Sequence, residues 1–222
     1  MSRVPIFPLP ETVFFPTVSL PLHLFEPRYC QMGDDVVAGD GLLVVVLLQP
    51  GWQRDYYGDP PVHEIATLGK VESHERLADG RMNVALSGLE RVRLLPPEGD
   101  EHVSGKLYRV RPIEPAPERC PDSSAATLQI ATRLRSLWKE LTEKSGAGAG
   151  FPSGGDALPF TALVNQLASA VDVPVAMKQR LLEEGDLLAR ATVLETYVDR
   201  SLQFWRTLSR FRRLVPEDPR VN

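Results

Sequence analysis

The 222-residue chain has room for one large domain or two small ones, and 43% hydrophobic against 24% charged residues excludes a disordered polymer. No apolar run approaches the roughly 18 residues of a membrane span, and "MSRVPIFPLPETVFFP" lacks a signal peptide's unbroken apolar stretch and small-residue cleavage site. A cytoplasmic chain is therefore expected. Net charge is −4, with 11 basic and 16 acidic side chains in residues 1–115 and 14 and 13 in residues 116–222, so the first half repels a polyanion on average.

The first half carries the period of strands. "VPIFPL" (4–9) and "GLLVVVLLQ" (41–49) are short apolar runs rich in β-branched residues. One helix is expected between them, from Pro27 to Val37, with proline in its first turn, where no N–H is needed. "EIATLGKVESHERL" (64–77) and "RMNVALSGLERVRLL" (81–95) alternate apolar and polar residues around "LADGR", where Asp79-Gly80 suits a tight hairpin. Gly69 and Gly88 fall inside these patterns, as at a bulge or sharp bend, and "SGKLYRVRPIEP" (104–115) closes the set. Strands this long and bent predict a curled sheet or partial barrel over residues 1–115.

The second half, 122–215, reads as helices. A Pro-rich hinge (115–127) leads to Ser123 or Ser124 as a cap, after which Leu128, Ala131, Leu134, Leu137, Trp138 and Leu141 recur at helical spacing. A Gly-rich segment, 145–156, reads as a flexible loop. A short helix follows with Phe160, Leu163, Val164 and Leu167 on one face, then another over "VPVAMKQRLLEEGD". Asp186 caps a long last helix reaching about Leu214, whose Phe204, Leu208, Phe211 and Val215 form a seam that wants a partner surface, a second copy of the chain included.

Each hint of catalytic chemistry fails on mechanism. "TLGKV" (67–71) has Glu64 and Val71 where a phosphate loop needs glycine and a hydroxyl. "HEIAT" (63–67) has Thr67 where a zinc helix needs its second histidine, and it reads as a strand. The glycines of 146–155 follow a helix and fit no dinucleotide register, while Ser87 sits mid-strand rather than on a nucleophile elbow. Cys30 and Cys120, the only cysteines, form no CxxC pair and read as free thiols. The four histidines (23, 63, 74, 102) lie in or beside β segments without a shared pattern. No catalytic set, metal or cofactor is expected.

Binding surface remains. "PGWQRDYYGDPP" (50–61) places Trp52, Tyr56 and Tyr57 in a loop, where they serve as recognition anchors or fold back onto their own sheet. "DRSLQFWRTLSRFRR" (199–213) sets five arginines around Phe204, Trp205 and Phe211, a grip for phosphates or a solvated face matched to the helix dipole.

Four ordered segments, "VPIFPLPETVFFP", "LPLHLFEPRYCQM", "LGKVESHERLADGRMNVALSGLERVRL" and "LLEEGDLLARATVLETYV", resemble the N-terminal substrate-binding domain of Lon proteases. The resemblance implies an α+β fold: a PUA-like β-barrel over residues 1–115, then a helical bundle with a long C-terminal helix. Phe7, Phe25, Glu26, Arg28, Tyr29, Gly69, Gly80, Arg81, Gly88 and Arg91 fall on its signature positions. No Walker motif or Ser-Lys peptidase accompanies it, which suggests a stand-alone, non-catalytic relative. At the strand-to-helix corner, Glu26, Arg28 and Tyr29 read as parts of the fold that bond one another or the backbone, over a core holding Phe7, Leu24 and Phe25. The expected role is capture of exposed apolar polypeptide segments in a groove between barrel and helices, with Trp52, Tyr56, Tyr57, Phe204 and Trp205 as contacts. RNA binding is the alternative.

Overall fold

In the computed structural model, residues 3–97, 101–102, 105–120, 125–145 and 158–212 are described. Six strands and five helices follow in the order β1 (Arg3–Leu9), β2 (Ser19–Leu24), α1 (Pro27–Ala38), β3 (Leu42–Leu47), β4 (Ile65–Arg76), β5 (Met82–Leu94), β6 (Val110–Pro115), α2 (Ala125–Ser145), α3 (Phe160–Ala170), α4 (Val175–Glu183) and α5 (Leu187–Arg212). The chain divides into two compact units, Met1–Arg119 with Pro174–Gly185, and Cys120–Val173 with Asp186–Asn222. Helix α4, grouped with the other helices on sequence, therefore belongs to the strand-rich unit.

The first unit is a mixed sheet in the order β2-β5-β4-β3-β1-β6, in which only β1 and β3 run parallel. β6 pairs with β1 through Val4↔Arg111 and with β5 through Arg93↔Glu114, so the ladder returns on itself. β3 is an unbroken apolar run because both of its faces are covered. Leu43 and Val45 join Phe7, Phe14, Tyr29, Met32, Val36 and Leu86 in one core, while Val44 and Val46 join Val4, Ile6, Ala66, Leu68 and Val92 in another. Helix α1 starts at Pro27 and buries Tyr29, Met32, Gly33 and Val36, the i, i+3, i+4, i+7 face of a helix lying on a sheet.

Two glycines shape the β4–β5 hairpin. Gly80 has φ +86, and Asp79 Oδ1 accepts from the Arg81 N–H at 3.1 Å, which makes the expected tight turn. Gly88 lies directly under the Phe15 carbonyl, so any side chain there would collide with backbone. Gly69 pairs with Gly88 beside a register shift at Leu68/Gly69, the bulge expected at these positions.

Arg91 shows how the signature reaches across the chain. It is buried on β5, and its guanidinium donates to the carbonyls of Glu183 (3.1 Å) and Glu184 (3.3 Å) at the C-terminal end of α4. A cation there satisfies carbonyls with no helical partner and suits the helix dipole. Gln179 adds a bond to the Ile65 carbonyl at 3.0 Å.

Three expectations change. Strand β2 is absent from the sequence pattern, because Pro21 interrupts it; among the described residues β2 pairs only with β5, and an edge strand tolerates proline. Phe25, expected in the core, is 63% exposed: Leu24 points inward, so its neighbour faces out, stacked on His23 with ring centres 6.3 Å apart. β6 begins only at Val110, later than the pattern from 104 suggested.

In the second unit, α2 buries Thr127, Ala131, Leu134 and Trp138, leaving Leu128 exposed because the buried stripe starts one position earlier. α3 buries Leu163, Val164 and Leu167, and Asn165 accepts from the fully buried Arg190 at 2.5 Å. Asp186 Oδ1 caps α5 as expected, accepting from the N–H groups of Leu188 and Ala189 at 2.9 and 3.0 Å. The expected caps Ser123 and Ser124, residues 146–156 of the Gly-rich loop, and the side chains of Leu208, Phe211 and Val215 lie outside the described residues.

Candidate functional site

The strand-to-helix corner and the aromatic loop, separate in sequence, form one site. Glu26 has extended backbone (φ −74, ψ 136) and its carbonyl accepts from Tyr29 and Cys30, which opens α1. Its side chain does not cap the helix. One carboxylate oxygen takes the Arg28 Nε–H at 3.0 Å and the other the Tyr56 hydroxyl at 2.6 Å. Arg28 also donates to the Tyr56 carbonyl at 3.3 Å, and its guanidinium lies 4.6 Å from the Tyr29 ring centre and 5.1 Å from that of Tyr56. Tyr29 meets Phe7 edge-on at 4.6 Å, so the corner is nailed to the core on one side and to the loop on the other.

The loop is a 3-10 turn, Trp52–Asp55, followed by Tyr56 and Tyr57. Trp52 and Tyr56 ring centres are 5.4 Å apart, and those of Tyr56 and Tyr57 are 5.2 Å apart. The three aromatics play unequal parts: Tyr56 is half-buried and bonded to Glu26, whereas Tyr57 is 89% exposed. Beyond them His102 contacts Asp59 at 2.8 Å, and Arg109 donates to the Pro60 carbonyl at 2.9 Å and pairs with Glu101. These bonds tie the loop to the approach of β6.

Between corner, loop and β6 lies a pocket of about 60 Å³, lined by Arg28, Tyr29, Tyr56, Tyr57, His102, Leu107, Tyr108 and Arg109 over Ile6, Pro8 and Leu48. That holds a terminal group or a few waters, far below a cofactor or drug-sized ligand. Burial pushes the tyrosine hydroxyls up from their ordinary 10.0. It is the main cause at all three, opposed at Tyr29 by the neighbouring Arg28 charge, and aided at Tyr56 by the bond to Glu26 and at Tyr108 by the 2.6 Å bond to Asp35. These hydroxyls stay protonated and can donate at neutral pH.

A wider, open depression of about 410 Å³ lies over β2, β5 and β4, crossed by the row His23–Asn83–Glu75 with bonds of 2.8 and 3.2 Å. Phe204 and Trp205 belong to the second unit, with ring centres 6.2 Å apart; Phe204 is 60% exposed, and Arg206 is held by Glu140 at 2.7 and 3.0 Å. Arg206 is thus engaged in an ion pair and is not one of the open cations a phosphate grip would use. Among the described residues no group of histidines, cysteines or carboxylates could hold a metal ion, and no helix is long and apolar enough to cross a membrane.

Sequence reasoning missed Arg109, Tyr108 and Leu107 as parts of the site. They alternate in an ordinary strand pattern, and only the β1–β6 pairing brings them beside the corner.

The model of the ATP-dependent protease La (LON) substrate-binding domain matches residues 3–200. The chain belongs to the Lon substrate-binding domain family. It is similar to the Lon protease of Desulfosudis oleivorans (21% identical over 98% of this chain and 26% of that protein) and to the Lon protease of Flavobacterium johnsoniae (26% identical over 90% of this chain and 24% of that protein). It thus spans about a quarter of the length of these curated relatives. Two solved structures share the fold: the N-terminal domain of a Mycobacterium avium complex Lon protease (TM-score 0.69, 16% identity, 89% of this chain and 98% of that one) and a Lon N-terminal domain protein from Xanthomonas campestris (TM-score 0.63, 20% identity, 89% and 99%).

Proposed function

We propose that this domain, a PUA-like barrel with a helical companion, is a non-catalytic recognition module for polypeptides and works in the cytoplasm. It takes polypeptide substrates or a partner protein that present exposed apolar segments. The observation that carries this reading is the match to the Lon substrate-binding domain over residues 3–200. The surface we assign to it is the rim of the small pocket, where Tyr57 and Leu107 stand 89% and 57% exposed. Large apolar side chains held in water beside a firmly bonded corner suit a partner's apolar residues, because the frame beneath them need not rearrange on binding.

The test is fluorescence anisotropy at physiological salt with a labelled unfolded polypeptide, with a labelled RNA in parallel. Binding to the polypeptide, weakened about tenfold by Trp52→Ala combined with Tyr57→Ala, supports the reading. Tyr56 is left intact in that variant because it braces Glu26. Undiminished affinity would remove the loop from the site and point to the depression over β2, β5 and β4. RNA binding that collapses with added salt would replace the reading altogether.

A further inference from the structure

The floor of the small pocket has a chemical bias that apolar capture does not require. Its lining among the described residues has two arginines, a histidine and four tyrosines, and no carboxylate. The acids of the region, Glu26, Asp59 and Glu101, pair with Arg28, His102 and Arg109 but do not line the pocket.

Both guanidiniums keep donors in hand. Arg28 uses Nε and Nη2, and Arg109 uses Nε and Nη1, so Nη1 of the first and Nη2 of the second meet no acceptor among the described residues. Tyr29 is the second observation. It lines the pocket and is only 6% exposed, and its hydroxyl has no hydrogen-bond partner among the described residues, unlike those of Tyr56 and Tyr108. That hydroxyl is open to the pocket, so an incoming acceptor can take its proton without breaking a protein hydrogen bond.

We infer that this pocket receives the free C-terminal carboxylate of a bound polypeptide, with the Tyr29 hydroxyl and the Arg28 and Arg109 guanidiniums as donors and Tyr57 and Leu107 against the last side chain. A guanidinium can only donate, so the occupant is an acceptor, and an amine or metal cation is excluded. About 60 Å³ admits a carboxylate and little more. Arg28 is already matched by Glu26, and Arg109 by Glu101 and Asp59, which suits a single added negative charge better than a phosphate dianion. The inference rests on the polypeptide reading above and adds to it a polarity: the chain end is held, and an interior segment is held less well.

The experiment uses the whole chain and a short N-terminally labelled peptide ending in leucine, as the free acid and as the C-terminal amide. The acid is expected to bind about tenfold tighter than the amide, the effect of one charge-assisted hydrogen bond. N-acetylleucine is expected to compete, and N-acetylleucinamide is not. Tyr29→Phe, which removes one oxygen and no hydrogen bond to the described residues, is expected to keep the parental melting midpoint while bringing the acid most of the way to the affinity of the amide. Equal binding of acid and amide by the parent protein overturns the inference, as does a Tyr29→Phe variant that keeps the full preference. Displacement by orthophosphate where N-acetylleucine fails overturns it in favour of a phosphate site. Binding of an unfolded protein without any preference for the acid overturns the inference and leaves the polypeptide reading standing. Absence of all polypeptide binding removes both.

Discussion

The corner at residues 26–29 and the far half of α5 share a composition, arginines set among aromatics, and differ in what surrounds them. At the corner Arg28 is only 19% exposed at its side chain, lies against two tyrosine rings and pairs with a carboxylate only 16% exposed. On α5, Arg206 and its partner Glu140 are 46% and 34% exposed, and Phe204 stands in water. Burial is what separates them. In a dry setting a polar bond left unmade is costly, so the corner's groups are fixed in place, whereas an exposed pair exchanges for water at little loss. A recognition frame needs the first kind of environment.

The largest effect should come from removing the acid at the centre of the corner. Glu26→Ala strands the Arg28 guanidinium and the Tyr56 hydroxyl together and is expected to cost about 2 kcal/mol, read as a lower urea midpoint. An unchanged midpoint would place the corner in the same class as α5. Tyr56→Phe deletes a single bond to that carboxylate, with an expected loss of about 1 kcal/mol. In a double-mutant cycle with Glu26→Ala the two losses should fall short of additivity by about the same amount.

Alkaline pH tests the corner without mutation. Tyr29, Tyr56 and Tyr108 have their pKa raised from 10.0, first by burial and then, for the last two, by bonds to Glu26 and Asp35. Above pH 10 the unfolded chain has released these protons while the folded chain holds them. Their contribution to stability is therefore complete below about pH 10 and is lost as the pH rises further. Melting curves from about pH 8 to about pH 11 should show that decline, with tyrosinate absorbance at these positions appearing only on unfolding. The smallest effect is expected from Arg206→Ala, whose exposed pair with Glu140 should leave both the melting midpoint and polypeptide binding unchanged. A clear loss of affinity there would move the binding surface to α5.

Much of the frame is legible in the sequence. Asp79-Gly80 announced its turn, Gly69 and Gly88 their bulge, Pro27 the start of α1 and Asp186 the cap of α5, because each acts through its own backbone or that of near neighbours. The cost of burying Glu26 or Arg28 alone also implies that they bond each other or the backbone, and the first alternative holds. What escaped was long-range. Phe25 faces out because of a strand whose proline hid it, and α4 sits with the sheet through Arg91, 92 residues before its acceptor Glu183.

Sequence by itself determined that this chain has a β half and a helical half, that its turns and caps fall where they do, and that its four signature segments resemble the substrate-binding domain of Lon proteases. These follow from local conformational preference and from the period of apolar residues, which neighbours along the chain decide among themselves. Only the tertiary structure decided that Glu26 reaches Tyr56, that Arg109 and Leu107 stand beside Tyr29, and that no carboxylate among the described residues lines the pocket they share. The reason is pairing: β6 lies beside β1 through partners such as Arg3 and Pro112, far apart along the chain, and no local preference carries information across that distance.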